Sequence, residues 1–190
     1  MTSIAIMGSN PKNKMDAPFD DPDWKIWACS THNAPPHQEL PRVDEWFEVH
    51  VPHGDHTRPP EFLDWVRDLS TKIPVWMRDR QGFPDSKEYP EEELKARFGP
   101  FFFTSTIAHM LAKAIVDIEK SRPMWRRVWM LLGGKSADAI GLWGIMQASP
   151  NEWSYQRPGV QYFIQRAHDL GIKVVAPPEA RLFRLPDNGW

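Results

Sequence analysis

The sequence has a single cysteine, Cys29, among its 190 residues. One cysteine excludes an internal disulfide framework and favours a reducing, cytosolic compartment. Long hydrophobic runs are also missing, since no apolar segment has the length of a membrane span and no charged-then-apolar leader opens the chain. The sequence therefore predicts a cytoplasmic protein without a membrane partner.

Positive and negative charges are nearly balanced, because the sequence has 23 Lys and Arg and 25 Asp and Glu, for a formal net charge of −2. Domains that bind nucleic acid normally carry a basic excess, so the net charge does not indicate such a partner. What the sequence does contain is ten tryptophans and nineteen prolines. The prolines predict stiff connections, and some of the tryptophans are candidates for lining a pocket.

The first strand is predicted where a continuous apolar run, residues 4–7, stops at Gly8-Ser9-Asn10. A strand buried on both faces has such a run, and the residues after it lie where open α/β sheets bind ligands. Gly8 permits a tight turn or close approach to a phosphate, and Ser9 and Asn10 add hydrogen-bonding side chains. An ordinary strand and turn that bind nothing is an equally good interpretation of this stretch alone.

A second strand, residues 24–29, also ends in small polar residues, with Ser30 directly after it and Asn33 close by. Further strands are expected in residues 43–51, 73–77, 139–146 and 172–176, with helices over 60–69, 90–98, 107–120 and 155–170. This alternation predicts a single Rossmann-like α/β domain with a mostly parallel sheet and helices on both faces. Residues 78–89 are expected to be a polar loop and 177–190 an irregular tail, while 121–136 fits a helix, a strand or an insertion.

Candidate phosphate contacts are expected at the starts of two helices. Thr104 and Ser105 precede the apolar helix, and Ser105 is either a ligand contact or a plain helix cap. Arg157 is expected at the start of the last helix, beside Tyr155, where its planar guanidinium can grip a phosphate. The alternative is that Arg157 is a surface arginine and that Tyr155 packs on the proline that follows.

Among the histidines, His50 is the candidate general base, because it is expected at the end of the third strand. His50, His53 and His56 together have spacing that suits a metal, but a solvated Gly/Pro loop is the favoured interpretation, and no metal or other cofactor is expected. His109 lies inside the apolar helix and is expected to be a core histidine.

Four sequence features together resemble a glycosyltransferase group: the GSNP loop, the Cys-Ser after the second strand, the FTSTIAHMLAKAI helix start and the strand IGLWGIM before a tyrosine-bearing loop. The chain is similar to single-domain bacterial sialyltransferases that use CMP-sugars and to motility-accessory-factor glycosyltransferases. The resemblance implies nucleotide contacts at Gly8, Ser9, Asn10, Ser30, Thr104 and Ser105, and a role for Tyr155 in phosphate departure. It also resembles small proteins of tailed bacteriophages with the pattern FTSS…GxDM…YQRP, which would place it in the host cytoplasm.

The sequence departs from the sialyltransferase pattern at three places: Ser9 replaces Asn, Thr106 replaces Gly, and Met146 stands where that pattern has an aspartate. The leading hypothesis is a transferase that moves a glycosyl-type group from a nucleotide donor to an unknown acceptor, with Arg157 stabilising the departing phosphate and His50 as base. The alternative is a non-catalytic phage protein that sequesters a nucleotide in counter-defence. A structural or interaction protein is a third hypothesis. A homo-oligomer is a further hypothesis. The Trp-Arg-Arg-Val-Trp segment 125–129 is more typical of internal packing or a subunit contact than of a surface that binds single-stranded nucleic acid.

Overall fold

A computed structural model describes residues 2–8, 10–29, 40–49, 60–132, 137–145 and 152–180 of the chain. Its strands are β1 (Ser3–Met7), β2 (Trp24–Cys29), β3 (Glu45–Glu48), β4 (Val75–Met77), β5 (Lys87–Glu88), β6 (Ala139–Trp143) and β7 (Lys173–Val175). Its α-helices are α1 (Pro60–Ser70), α2 (Glu91–Phe98), α3 (Thr106–Ser121), α4 (Met124–Leu131) and α5 (Glu152–Asp169). Short 3₁₀ turns occupy Lys14–Asp16, Pro100–Phe102 and Pro178–Ala180.

The seven strands form one sheet in the order β5-β4-β3-β2-β1-β6-β7, and every described pair is parallel. The predicted Rossmann-like α/β fold is confirmed, and the sheet is entirely rather than mostly parallel. β1 is central: Ile6 lies opposite Trp27 of β2 on one side and Leu142 of β6 on the other. This position explains the uninterrupted apolar run of β1, because both of its faces are covered.

Successive side chains of β1 and β2 enter two different cores. Ile4, Ile6 and Trp27 pack under α2, α3 and α5, whereas Ala5 and Met7 pack on the opposite face with α1. Helices therefore cover both faces of the sheet, as predicted. On its own face, α1 buries Phe62 and Val66 fully and packs Trp65 and Leu69 in part.

The central helix is α3, which is buried on most of its circumference from Ala108 to Ile118. Its start is fixed by Ser105, whose backbone is extended and whose hydroxyl accepts a hydrogen bond from the Ala108 N–H at 3.2 Å. The predicted helix cap is confirmed. The helix ends at Ser121 because Pro123 restricts the preceding residue, Arg122, to an extended conformation (φ −72°, ψ 123°).

Two predicted elements need correction, and the segment 121–136, for which a helix was one of three alternatives, contains a helix. Within 121–136, residues Met124–Leu131 are helix α4. The expected loop 78–89 contains the two-residue edge strand β5, because the Tyr89 N–H donates to the Met77 carbonyl and draws the chain alongside β4. The last helix, α5, begins at Glu152 rather than at residue 155, so Pro158 lies in its interior.

No helix among the described ranges is both long and apolar enough to cross a membrane.

Candidate functional site

The strand order reverses between β1 and β6, inside the sheet. β2, β3, β4 and β5 follow β1 on one side, whereas β6 and β7 lie on the other. In open parallel sheets, ligands bind outside the carboxyl ends of the strands at such a reversal. The carboxyl end of this sheet, near β1 and β6, is therefore the candidate functional site.

The loop after β1 is tied to the end of β6 by backbone hydrogen bonds. The Gly8 N–H donates to the Trp143 carbonyl at 2.8 Å, and the Asn10 N–H donates to the Gly144 carbonyl at 2.7 Å. The Gly144 N–H in turn donates to Oδ1 of the buried Asn13 at 2.8 Å. These hydrogen bonds join the described residues of the two loops at the reversal.

Glycine at position 8 is required by this close approach. A Cβ on Gly8 would overlap the Gly144 carbonyl oxygen and the Ile145 side chain. Asn10 contributes locally as well, because its Oδ1 accepts a hydrogen bond from the Lys12 N–H at 2.9 Å and shapes the turn. The structure therefore brings the predicted residues Gly8 and Asn10 to the reversal, and it gives Gly8 a packing role against β6.

The first turn of α3 lies directly beside α5. The Thr104 hydroxyl donates to the Gln156 carbonyl at 3.0 Å. Gly159 allows this contact, since a Cβ there would overlap the Thr104 hydroxyl and the Phe102 carbonyl. This contact brings together two sets of predicted residues, namely Thr104 and Ser105 before α3 and the segment around Arg157 in α5.

Arg157 does not lie at a helix start, contrary to the prediction. It is the sixth residue of α5 and is half-buried, and Pro158 follows it inside the helix. Pro158 has no N–H to donate to the carbonyl of residue 154, which costs the helix one hydrogen bond. Burial of Val160, Phe163 and Ala167 against the core offsets this loss. The backbone of Tyr155 belongs to the same helix.

His109 is enclosed one turn into α3. Its Nδ1 lies 2.9 Å from the Ser105 carbonyl, so this nitrogen carries the ring proton, and Tyr89 and Phe103 pack against the ring. Burial lowers the pKa of His109 below its ordinary value, and the Ser105 carbonyl only partly opposes that shift. The residue is the buried core histidine that the sequence predicts.

Tyr89 reinforces this packing. Its hydroxyl donates to the His109 carbonyl at 2.8 Å, and burial, followed by the nearby Glu91 carboxylate, raises the pKa of the phenol. The phenol therefore stays protonated as a hydrogen-bond donor.

Two buried charged residues at this edge were not singled out as site residues in the sequence. Glu48 is the last residue of β3, and Lys14 lies in the turn after β1; both side chains are almost completely buried. Charged side chains are rarely buried without a partner. The burial of Glu48 and Lys14 therefore indicates that this edge of the sheet is well structured. For Glu48 the signal in the sequence was a glutamate between the apolar residues Phe47 and Val49 of a predicted strand.

Cys29 ends β2 at the same edge, and its thiol donates to the Met7 carbonyl at 3.7 Å. It is buried, as expected of a small core residue.

Several predicted site residues lie outside the described residues: Ser9, Ser30, Asn33, His50 and the neighbouring histidines His53 and His56. In the sequence, each lies within eight residues after the end of β1, β2 or β3. The side chain of Tyr155 is likewise outside the described part.

Comparison with known proteins gives no match to a family model, to a curated protein or to a solved structure.

Proposed function

We propose that the chain binds a nucleotide or nucleotide-sugar at the carboxyl end of its sheet and transfers a glycosyl-type group from that donor. The observation that carries the proposal is the reversal of strand order between β1 and β6. It places the Gly8–Asn10 loop at the position where parallel α/β sheets hold phosphorylated ligands.

The proposed phosphate contacts are the start of α3 and Arg157. Helices that follow parallel strands point their N-termini toward the ligand edge, where the partial positive charge of the helix favours an anion. Thr104 is hydrogen-bonded to the backbone carbonyl of Gln156, the residue before Arg157, so the backbone of Arg157 lies close in space to the start of α3. An arginine there can stabilise the negative charge of a departing phosphate.

The alternative, a non-catalytic protein that sequesters a nucleotide, is supported by two observations. His109, which lies near this edge, is enclosed and has a lowered pKa, so it is a poor proton acceptor for a substrate. The described end of β6, Trp143 to Ile145, carries no carboxylate. In the transferase hypothesis His50 supplies the base, and in the sequestering hypothesis none is needed.

A thermal-denaturation screen against CMP, other nucleotides and nucleotide-sugars tests binding. A ligand at about 100 times its dissociation constant stabilises the folded state by about 2.7 kcal/mol. We expect a nucleotide to raise the melting temperature of the wild type and Arg157→Ala to lose most of that rise. If no nucleotide changes the melting temperature, the proposal is wrong.

Arg166→Ala is the matched control, because Arg166 lies on the same helix near its other end, where it pairs with Asp169. It should keep the wild-type response to the ligand. Chromatography of the nucleotide-sugar after incubation then separates the two hypotheses: release of the free nucleotide supports a transferase, and tight binding of unchanged ligand supports sequestration.

A further inference from the structure

The outer face of α4 is an exposed apolar surface. Five side chains form it, and their exposed fractions are 72% for Met124, 69% for Trp125, 49% for Val128, 48% for Trp129 and 81% for Leu132. At 3.6 residues per turn, positions 124, 125, 128, 129 and 132 fall within an arc of about 140°, so all five lie on one side of the helix. We call this surface the α4 patch.

The inner face of α4 is fixed to the protein. Arg126 reaches the buried carboxylate of Asp138, with Nη1 3.2 Å from Oδ1, and Met130 packs beside Gly171 in the turn after α5. The helix is therefore held in one orientation. The five side chains of the α4 patch are apolar, so no formal charge lies within it.

The size of the α4 patch approaches what a specific protein interface requires. A tryptophan buries roughly 150–250 Å² when it is fully covered, and two are about half to two-thirds exposed here. Together with three aliphatic side chains they form a patch in the range of about 300–600 Å² that is the largest on a typical monomer. A standard interface covers about 800 Å² per partner, so a patch of about 300–600 Å² supplies between roughly two-fifths and three-quarters of one side.

We propose that the α4 patch is the twofold interface of a homodimer, in which α4 packs against α4 of a second copy. An apolar face without charge is complementary to itself, which a symmetric interface demands. Trp and Met are enriched at interface cores, where charged residues are depleted. The net charge of −2 opposes the approach of two copies only weakly.

A second copy fits this surface better than a membrane does. Helices that bind lipid surfaces carry Lys or Arg around their apolar face to contact anionic headgroups. Of the two arginines of α4, Arg126 points inward to Asp138, and the side chain of Arg127 is outside the described part of the chain. The helix has eight residues and is about 12 Å long, which matches a short helix crossing at a dimer axis.

Sedimentation equilibrium of the full chain at about 1 to 100 µM, the range of weak to standard interfaces, tests the proposal. We expect a monomer–dimer equilibrium. Val128→Glu should raise the dimer dissociation constant at least tenfold, because it places two carboxylates together at the axis. Trp125→Ser should weaken the dimer by removing an anchor.

The control is Phe101→Glu, which places the same charge at another exposed aromatic residue, 82% exposed and outside α4. It should leave the dimer unchanged, and circular dichroism should show all three variants folded. Because Cys29 is buried, a Val128→Cys variant has one surface thiol. A short bis-maleimide should cross-link it into a dimer far more efficiently than it cross-links Phe101→Cys.

A monomer at every concentration overturns the proposal, as does a dimer that Val128→Glu leaves intact. Flotation of the wild type with anionic phospholipid vesicles is the competing outcome: vesicle binding that Val128→Glu abolishes, in a protein that is monomeric without lipid, assigns the α4 patch to a membrane. If removal of residues 181–190 converts a monomer into a dimer, that segment covers the patch in the full chain and the proposal fails.

Discussion

Asp138 joins several parts of the chain at the amino-terminal edge of the sheet. Its carboxylate accepts hydrogen bonds from the Thr2 N–H at 3.2 Å and from Arg122 Nε at 2.9 Å, and it also pairs with Arg126. Its carbonyl accepts from the Lys173 N–H. Asp138 and Arg122 are both buried, so each charge depends on the other for compensation.

Asp138→Asn should lower the free energy of unfolding by about 3–5 kcal/mol, because it removes the buried carboxylate that pairs with the buried Arg122 guanidinium. Urea denaturation measures the loss. Asp169→Asn is the control, since its ion pair with Arg166 is on the surface and such pairs contribute about 0–1 kcal/mol. Equal losses in the two variants would show that burial of the Asp138 pair is energetically unimportant.

His109 should make stability depend on pH. Burial lowers its pKa in the folded protein below the ordinary value, so between the two values the unfolded chain binds a proton that the folded chain does not. The free energy of unfolding therefore falls as the pH falls through that window, by at most about 1.36 kcal/mol per pH unit for one proton.

The measurement compares urea denaturation of the wild type and His109→Gln at about pH 7 and about pH 5.5, a range that includes the ordinary histidine pKa. The wild type should lose more stability on acidification than His109→Gln does. The exposed His168 supplies the control, and His168→Gln should follow the wild type. An identical acid loss in His109→Gln and the wild type would contradict the prediction.

Among the elements of the fold, the contact between the loops after β1 and β6 depends on two glycines, Gly8 and Gly144. Gly144 has a φ of +66°, and a Cβ there would crowd the Gly8 carbonyl oxygen. Gly82 has a similar φ of +80° but has open space around it. A substitution at Gly82 therefore introduces backbone strain alone, whereas a substitution at Gly144 introduces both strain and crowding.

Gly82→Ala should cost about 1–2 kcal/mol, the strain of placing an alanine at positive φ. Gly144→Ala should cost at least about 1 kcal/mol more, because the loops must also move apart. Denaturation of the two variants gives the difference. Equal costs would mean that the β1 and β6 loops are not held as closely as their hydrogen bonds indicate.

At the scale of the whole molecule, stability should be highest at the centre of the sheet. β1 is paired over its full length with β2 and β6, and all five of its residues are buried. β5 is a two-residue edge strand with exposed side chains. Hydrogen exchange monitored by mass spectrometry should therefore be slowest in β1 and α3 and fast around β5. Equal protection of β1 and β5 would contradict this order.

Local signals in the sequence were enough to predict several elements of the fold. The apolar run of β1, the strand β2 and the Ser105 cap of α3 depend on residues close together in the chain. Their alternation with helical patterns indicated the parallel α/β fold, because a parallel strand pair needs a long crossover. Gly8, Asn10, Thr104 and Ser105 were predicted as site residues for the same reason, since each follows a strand or precedes a helix in the sequence.

The contacts that these residues make with distant parts of the chain became visible in the folded structure. Gly144 is far from Gly8 along the chain, so the sequence did not reveal that the two loops pack together. The start of α5 was misplaced because Pro158 is a local helix-breaking signal that burial against the core overrides. The side on which α4 is exposed depends on the Arg126–Asp138 ion pair, a long-range contact. Hydrophobic periodicity and helix caps depend on neighbouring residues, so they can be predicted from the sequence. The packing of distant segments determines which partner a strand, a buried charge or a helix face has.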